Sequence, residues 1–155
     1  MQTFSINKLA ELLEIDRGTM VRALRNVRRD AGPPSRPEYK LSSAHVALNA
    51  HLSGGQDGNS VDPHLQRLFD EFDARDAAMR RLDTVEARRK AARALLPLVA
   101  ETDRELRDHG RRVGADGELT GYRCDAILRL TLRGLERPCG WSQEQCWREF
   151  EAVAA

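Results

Sequence analysis

Across Ser5–Arg29 the apolar positions recur three and four residues apart, the spacing of one helical face, in two consecutive runs. Ile6, Leu9, Ala10, Leu12 and Leu13 form the first run, and Met20, Ala23 and Leu24 the second. Between them, Glu14-Ile15-Asp16 reads as a tight turn with Ile15 pointing inward. Ser5 and Asp16 each stand where a side-chain oxygen can accept from the amides of a helix's first turn. The pattern therefore predicts two short helices sharing a small core. It leaves Arg17, Gly18, Val21, Arg22 and Arg25 on the outer face of the second.

Prolines at 33, 34 and 37 then forbid a helix and limit strand pairing. Tyr39-Lys40-Leu41 suits a short strand. Ser42 or Ser43 is placed to cap a third helix carrying Val46, Leu48 and Leu52, on which His45 and His51 are expected to be partly exposed.

"SGGQDGNS", Ser53 to Ser60, holds three glycines and no apolar side chain, so it reads as a flexible linker. Beyond it, Asp62-Pro63 opens a helix expected to reach about Arg81, with Leu65, Leu68, Phe69, Phe72, Met79 and Leu82 as its stripe. The phase slips at Asp83-Thr84-Val85-Glu86, where Asp83 can cap the Glu86 amide. A second stripe follows through Val85, Ala92, Val99, Leu106 and Val113, with Pro97 expected to kink it. "GADG", Gly114 to Gly117, ends that helix. The next runs from Leu119 to about Leu135, with Tyr122, Ala126, Ile127, Leu130 and Leu135 on its apolar side. Ser142 and Gln145 form a capping box for the last helix, with Trp141 and Cys146 as its apolar staple.

The reading is thus of a mainly α chain in three parts: an N-terminal module over 1–53, a linker over 54–61, and a helical assembly or partner-binding region over 62–155. Aromatics are only 5% of the residues, so the core must rest on Leu, Val, Ile and Ala. No segment approaches the roughly 20 apolar residues of a membrane span, and no N-terminal run resembles a signal peptide. A soluble cytoplasmic protein is expected.

Formal net charge is +1, which excludes a global polycation. The charge is nevertheless uneven. Between Arg17 and Lys40 lie seven basic residues (Arg17, Arg22, Arg25, Arg28, Arg29, Arg36, Lys40) against two acids, Asp30 and Glu38. The segment 116–155 is net acidic.

Arginine presents a planar fork that can grip guanine O6 and N7 or a phosphate. Arg17 and Arg22 are the candidates for base edges. Arg25, Arg28 and Arg29 are candidates for phosphates where the helix leaves the groove, and Arg36 and Lys40 for backbone or minor-groove contacts from the following loop. The competing reading is a helix pair with an arginine-rich solvated face. A helix pair, a basic extended loop and a closing helix is also the order of a winged helix-turn-helix.

"SINKLAELLEIDRGTMVRALRNV", followed by a proline-bearing loop and "EYKLSSAHVAL", resembles the small subunits of phage DNA-packaging terminases, notably the lambda-like kind. Excisionase and MerR-type DNA-binding domains are similar over the same residues. The likeness covers about Ser5 to Leu52. Glu14 departs from it, since many helix-turn-helices carry Gly at the turn. The resemblance implies a non-catalytic factor, phage-encoded and acting in a bacterial host's cytoplasm. Such a factor would bind the packaging site on double-stranded DNA, oligomerise, and hand the DNA to a large ATPase and nuclease subunit. Trp141, Trp147 and Phe150 on the C-terminal helices are candidates for docking that subunit, and equally for a satellite core. A prophage or bacterial transcription regulator is the alternative, and a helical adaptor with a basic face a third.

No cofactor or metal is expected. The four histidines are scattered, and Cys124, Cys139 and Cys146 include no C-x-x-C, so reduced thiols are expected. Phosphate-loop, H-E-x-x-H and G-x-S-x-G patterns are missing from the sequence, which gives no support to an enzyme.

Overall fold

The computed structural model describes residues 2–52, 54 and 62–154, so the expected linker at 54–61 lies almost wholly outside the described residues. The chain is mainly helical. In order, the elements are β1 (Thr3–Ser5), α1 (Ile6–Leu12), α2 (Arg17–Leu24), β2 (Glu38–Lys40), α3 (Leu41–Leu52), α4 (Pro63–Arg80), α5 (Val85–Arg112), α6 (Gly117–Cys139) and α7 (Gln143–Ala154). No helix among the described residues is long and apolar enough to cross a membrane.

Two compact units divide these elements. One joins Gln2–Pro63 to Leu106–Ile127, and the other joins His64–Glu105 to Leu128–Ala155. The N-terminal elements thus share a unit with the end of α5 and the first half of α6.

In the unit containing α4 and α7, the expected stripes of α4 and α5 pack together. Leu68, Phe72 and Met79 of α4 meet Leu95, Leu96 and Val99 of α5 and Leu135 of α6, with Leu128 and Leu132 of α6, not in its expected stripe, joining the core. Burying each such side chain contributes about 1.5–3 kcal/mol. Ser142 and Gln145 form the expected reciprocal cap: the Gln145 amide donates to Ser142 Oγ at 3.2 Å, and the Ser142 amide to Gln145 Oε1 at 2.9 Å. Trp141, Cys146 and Phe150 are buried in this core, and Trp147 packs half-buried beside it, edge-on to Phe150. Of the two readings for these rings, internal packing accounts for Trp141 and Phe150.

Several boundaries differ from the sequence reading. Thr84, not Asp83, caps α5, its Oγ1 accepting from the Ala87 amide at 3.1 Å. Val85 and Leu82 are exposed. Helix α5 carries Pro97 within its span, as the sequence reading placed it. Helix α6 begins at Gly117 and continues beyond Leu135 to Cys139, carrying Pro138 in its last turn. Proline has no amide hydrogen to give the carbonyl four residues back, that of Gly134. The Arg80 guanidinium supplies the missing donor, reaching the Gly134 carbonyl at 3.0 Å. Arg88 and Arg89 then cap the following carbonyls of Pro138, Cys139 and Gly140 at 2.6–3.1 Å. A helix end that local propensity would have closed early is sustained by three arginines from other helices.

In the other unit, β1 pairs antiparallel with β2, with Thr3 opposite Lys40, Phe4 opposite Tyr39 and Ser5 opposite Glu38. Strand β1 was not foreseen; three residues are too few for alternation to stand out. The second strand is Glu38–Lys40 instead of Tyr39–Leu41, because Leu41 already opens α3. Ser42 and Ser43 consequently lie within the first turn of α3 instead of capping it. That helix is buried around most of its circumference, including His45 and Asn49, and only Leu52 is well exposed. The expectation of a partly exposed His45 is therefore corrected: the ring is fully enclosed. At the approach of α5 to α6, a β-carbon on Gly110 would stand 2.5 Å from Thr120 Cγ2, so only glycine fits there.

Candidate nucleic-acid interface

Both caps read from the sequence hold the first two helices. Ser5 Oγ accepts from the Lys8 amide at 3.4 Å, and Asp16 Oδ1 from the Thr19 amide at 2.9 Å. Leu9, Ala10, Leu13, Met20, Ala23 and Leu24 are buried, as the spacing predicts, and Ile15 is half-buried in the turn.

Along the outer side of α2, Arg17 and Arg22 are exposed, Gly18 and Val21 are half-buried, and Arg25 caps the helix end, exposed. At about 100° per residue, Arg17, Val21, Arg25, Gly18 and Arg22 fall within a sweep of roughly 140°. Arg17 Nε donates to Asn7 Oδ1 at 2.8 Å. Arg22 Nη2 donates to Thr19 Oγ1 at 2.8 Å, and the Thr19 hydroxyl in turn donates to Asp16 Oδ2. Those bonds with Thr19 hold the Asp16 carboxyl below its usual range, with the Arg22 charge adding to the effect. The two leading arginines are thus steadied by neutral side chains. Among the described residues, none of Arg17, Arg22, Arg25, Arg28, Arg29 and Arg36 forms an ion pair with a carboxylate.

Helix α2 ends at Leu24, so Arg28 and Arg29 lie in the segment leaving it. That segment is more ordered than an extended loop. Ala31 and Glu38 exchange backbone hydrogen bonds at 3.0 and 3.1 Å, which puts Glu38 between Ala31 on one side and Ser5 of β1 on the other. A turn closes this ribbon, the Arg36 amide donating to the Pro33 carbonyl at 2.9 Å. Gly32 sits there at φ +76, with a would-be β-carbon 2.3 Å from the Arg36 carbonyl oxygen. Arg29 Nε donates to the Gly32 carbonyl at 3.0 Å. Arg36 is exposed at the tip, whereas Lys40 is half-buried and its amide is held by Asp30 Oδ2 at 2.9 Å.

The structure therefore brings Arg17, Gly18, Val21, Arg22 and Arg25 together on one element. Arg28, Arg29 and Arg36 are carried on the ribbon and its approach, and Lys40 at the ribbon's base.

Sequence reasoning missed the residues that brace the turn between α1 and α2. Glu14 adopts a left-handed backbone, φ +50, the conformation glycine ordinarily supplies. Its carboxylate accepts from the Tyr122 hydroxyl at 2.9 Å, and the adjacent Leu13 carbonyl accepts from Arg123 Nε at 3.2 Å. Arg123 is buried, while Tyr122, expected on the apolar side of α6, is 48% exposed. A signal for Arg123 existed. Thr120, Arg123, Cys124 and Ile127 share one helical face, and a charge on such a face needs a buried acceptor.

Behind the turn sits a buried polar cluster. His45 Nε2 faces the Asn49 amide at 3.2 Å and Cys124 Sγ at 3.7 Å. Full enclosure of the ring disfavours its charged form. Burial pulls His45 down to about 3, and the Arg123 and His109 charges push the same way.

No family model matches the chain, and no curated protein or solved structure does either.

Proposed function

We propose that this chain is a double-stranded DNA-binding protein whose α1, α2, α3 and ribbon act as a winged helix-turn-helix, with α2 in the major groove. The observation that carries the reading is a series of six exposed arginines, on α2 and along the segment that follows it, none of which forms an ion pair with a carboxylate among the described residues. An isolated solvated face ordinarily mixes signs, and an unneutralised cluster instead seeks phosphates. Arg17 and Arg22 would reach base edges, and Arg25, Arg28, Arg29 and Arg36 the backbone on either side. Gly18 and Val21 leave room between them for close approach to base edges. The left-handed Glu14 and the Asp16 cap support the same reading, since they fix the start of α2 against α1.

The role follows the resemblance: the small subunit of a phage terminase, presenting several copies to one DNA to raise affinity. A transcription regulator would use the same module and differ in its second partner.

Titration of random duplex DNA over a salt series tests the binding. The association constant should fall steeply with rising salt; Arg22→Ala and Arg25→Ala should each weaken binding, and Arg25→Ala should flatten the dependence by about one phosphate contact. Absence of binding at low salt removes both DNA roles. Stimulation of a packaging ATPase, as against promoter control, separates the two.

A further inference from the structure

In the unit formed by His64–Glu105 and Leu128–Ala155, the end of α4, the first turns of α5 and the end of α6 border an open, shallow cleft of about 440 Å³ lined by Arg80, Arg88, Arg137 and Pro138. Two of the arginines are held rigidly. Arg80 donates from Nε to Asp76 at 2.7 Å and from Nη2 to the Gly134 carbonyl. Arg88 donates from Nε to the Pro138 carbonyl and from Nη1 to the Leu82 carbonyl, each at 2.6 Å. These bonds stabilise helix ends, and they also fix the direction of the donors left over, Arg80 Nη1 and Arg88 Nη2. Arg137 is exposed, and its side chain makes no hydrogen bond or ion pair among the described residues.

Charge points the same way. Carbonyls orient a guanidinium without neutralising it, and Asp76 is the one carboxylate among the described residues bonded to these three arginines. The same imbalance is felt by the neighbouring Cys139 thiol: burial pushes it up, Arg80, Arg88 and Arg89 oppose that, and Asp76 alone acts with it. Guanidinium donors already oriented by their carbonyl bonds and carrying excess positive charge along an open cleft are what a multiply charged oxyanion needs. The ordering cost is met before the ligand arrives.

We propose that this arginine-lined cleft binds a small phosphate-bearing anion of the diphosphate class, with Arg137 closing onto it. The volume suits such a ligand, free or as part of a nucleotide. The assignment does not depend on the DNA reading, which concerns the other unit.

Calorimetric titration of inorganic pyrophosphate, and separately ADP, into the full-length protein at constant chloride tests it. Saturable binding is expected. Arg137→Gln should weaken it about tenfold, the scale of one charge-assisted hydrogen bond, while leaving the thermal midpoint unchanged. Arg137→Lys should retain part of the affinity, and Arg22→Ala all of it. Equal affinity for the two ligands would assign recognition to the phosphates alone, and tighter ADP binding to a nucleotide. The proposal is overturned by absence of saturable binding, by binding that survives Arg137→Gln, or by binding lost with Arg22→Ala. A short DNA duplex that excludes pyrophosphate through Arg137 would also overturn it.

Discussion

The Tyr122 hydroxyl donates to the Glu14 carboxylate at 2.9 Å, tying α6 to the one described residue other than glycine with a left-handed backbone. An L-residue in that conformation costs about 1 kcal/mol or more, and the tie offsets part of it. Two substitutions separate these effects. Glu14→Ala keeps the strain and loses the bond, so it should destabilise. Glu14→Gly loses the bond and relieves the strain, so it should lie within about 1 kcal/mol of the parent. Urea unfolding gives the order. If Ala and Gly prove equal, backbone strain at the turn is not a factor.

Arg123 is a heavier brace. Arg123→Met retains an apolar stem but leaves the Leu13 carbonyl without its side-chain donor, at a cost of about 1–3 kcal/mol. Arg123→Lys should recover part of that. Under conditions where both variants are fully folded, Met should bind duplex DNA more weakly than Lys, because α2 loses its fixed angle. Equal affinities would dissociate the brace from the reading helix.

His45 makes folding acid-sensitive. Its folded-state value is about 3, against about 6.5 in an unfolded chain. Between those limits the unfolded state binds the extra proton. The contribution is therefore complete above about pH 6.5 and shrinks as pH falls, by up to about 1.4 kcal/mol per pH unit. Arg123, His109, Cys124 and Asn49 surround the ring, and none supplies a carboxylate to hold the charged form. Chemical denaturation at pH 7 and pH 5 should show a loss that His45→Gln largely abolishes. A slope identical in both proteins would show that His45 is solvated in solution.

Gly110→Ala sets helix propensity against packing. Alanine is favoured in a helix interior by about 1 kcal/mol, but its β-carbon would meet Thr120 Cγ2 at 2.5 Å. Thr120 is buried and β-branched, so it cannot rotate away cheaply, and overpacking of about 1–3 kcal/mol should win. In a Thr120→Ser background the methyl is gone, and Gly110→Ala should become neutral or stabilising. A thermal double-mutant cycle reads this directly; additivity would place the two helices farther apart than described.

What the chain reveals by itself is mostly local. Ser5, Asp16 and the pair Ser142 and Gln145 cap their helices as their spacing says, and Met20, Ala23 and Leu24 are buried as their period says. Such features depend on residues three or four apart. The bracing of the turn does not: Tyr122 and Arg123 lie 108 and 110 residues from their acceptors. His45 was misjudged for the same reason, because a helix read alone does not disclose what covers its polar side. Cys139 ends α6 four residues later than expected because Arg80 replaces a donor that proline lacks, an exchange across 54 residues. The arginine cluster beyond α2 was legible as composition. The ribbon that carries part of it was not, since its pairing depends on Ser5 and Ala31 meeting Glu38.

Strand β1 ends at Ser5 and α1 begins at Ile6, just as β2 ends at Lys40 and α3 begins at Leu41. Neither junction contains a spare residue to absorb slack. A pull on the Arg36 tip is therefore transmitted, like force through a crankshaft, into two rods at once, one abutting α2 and the other holding the sealed imidazole. Anything that grips the tip tugs on the hydrophobic interior as well.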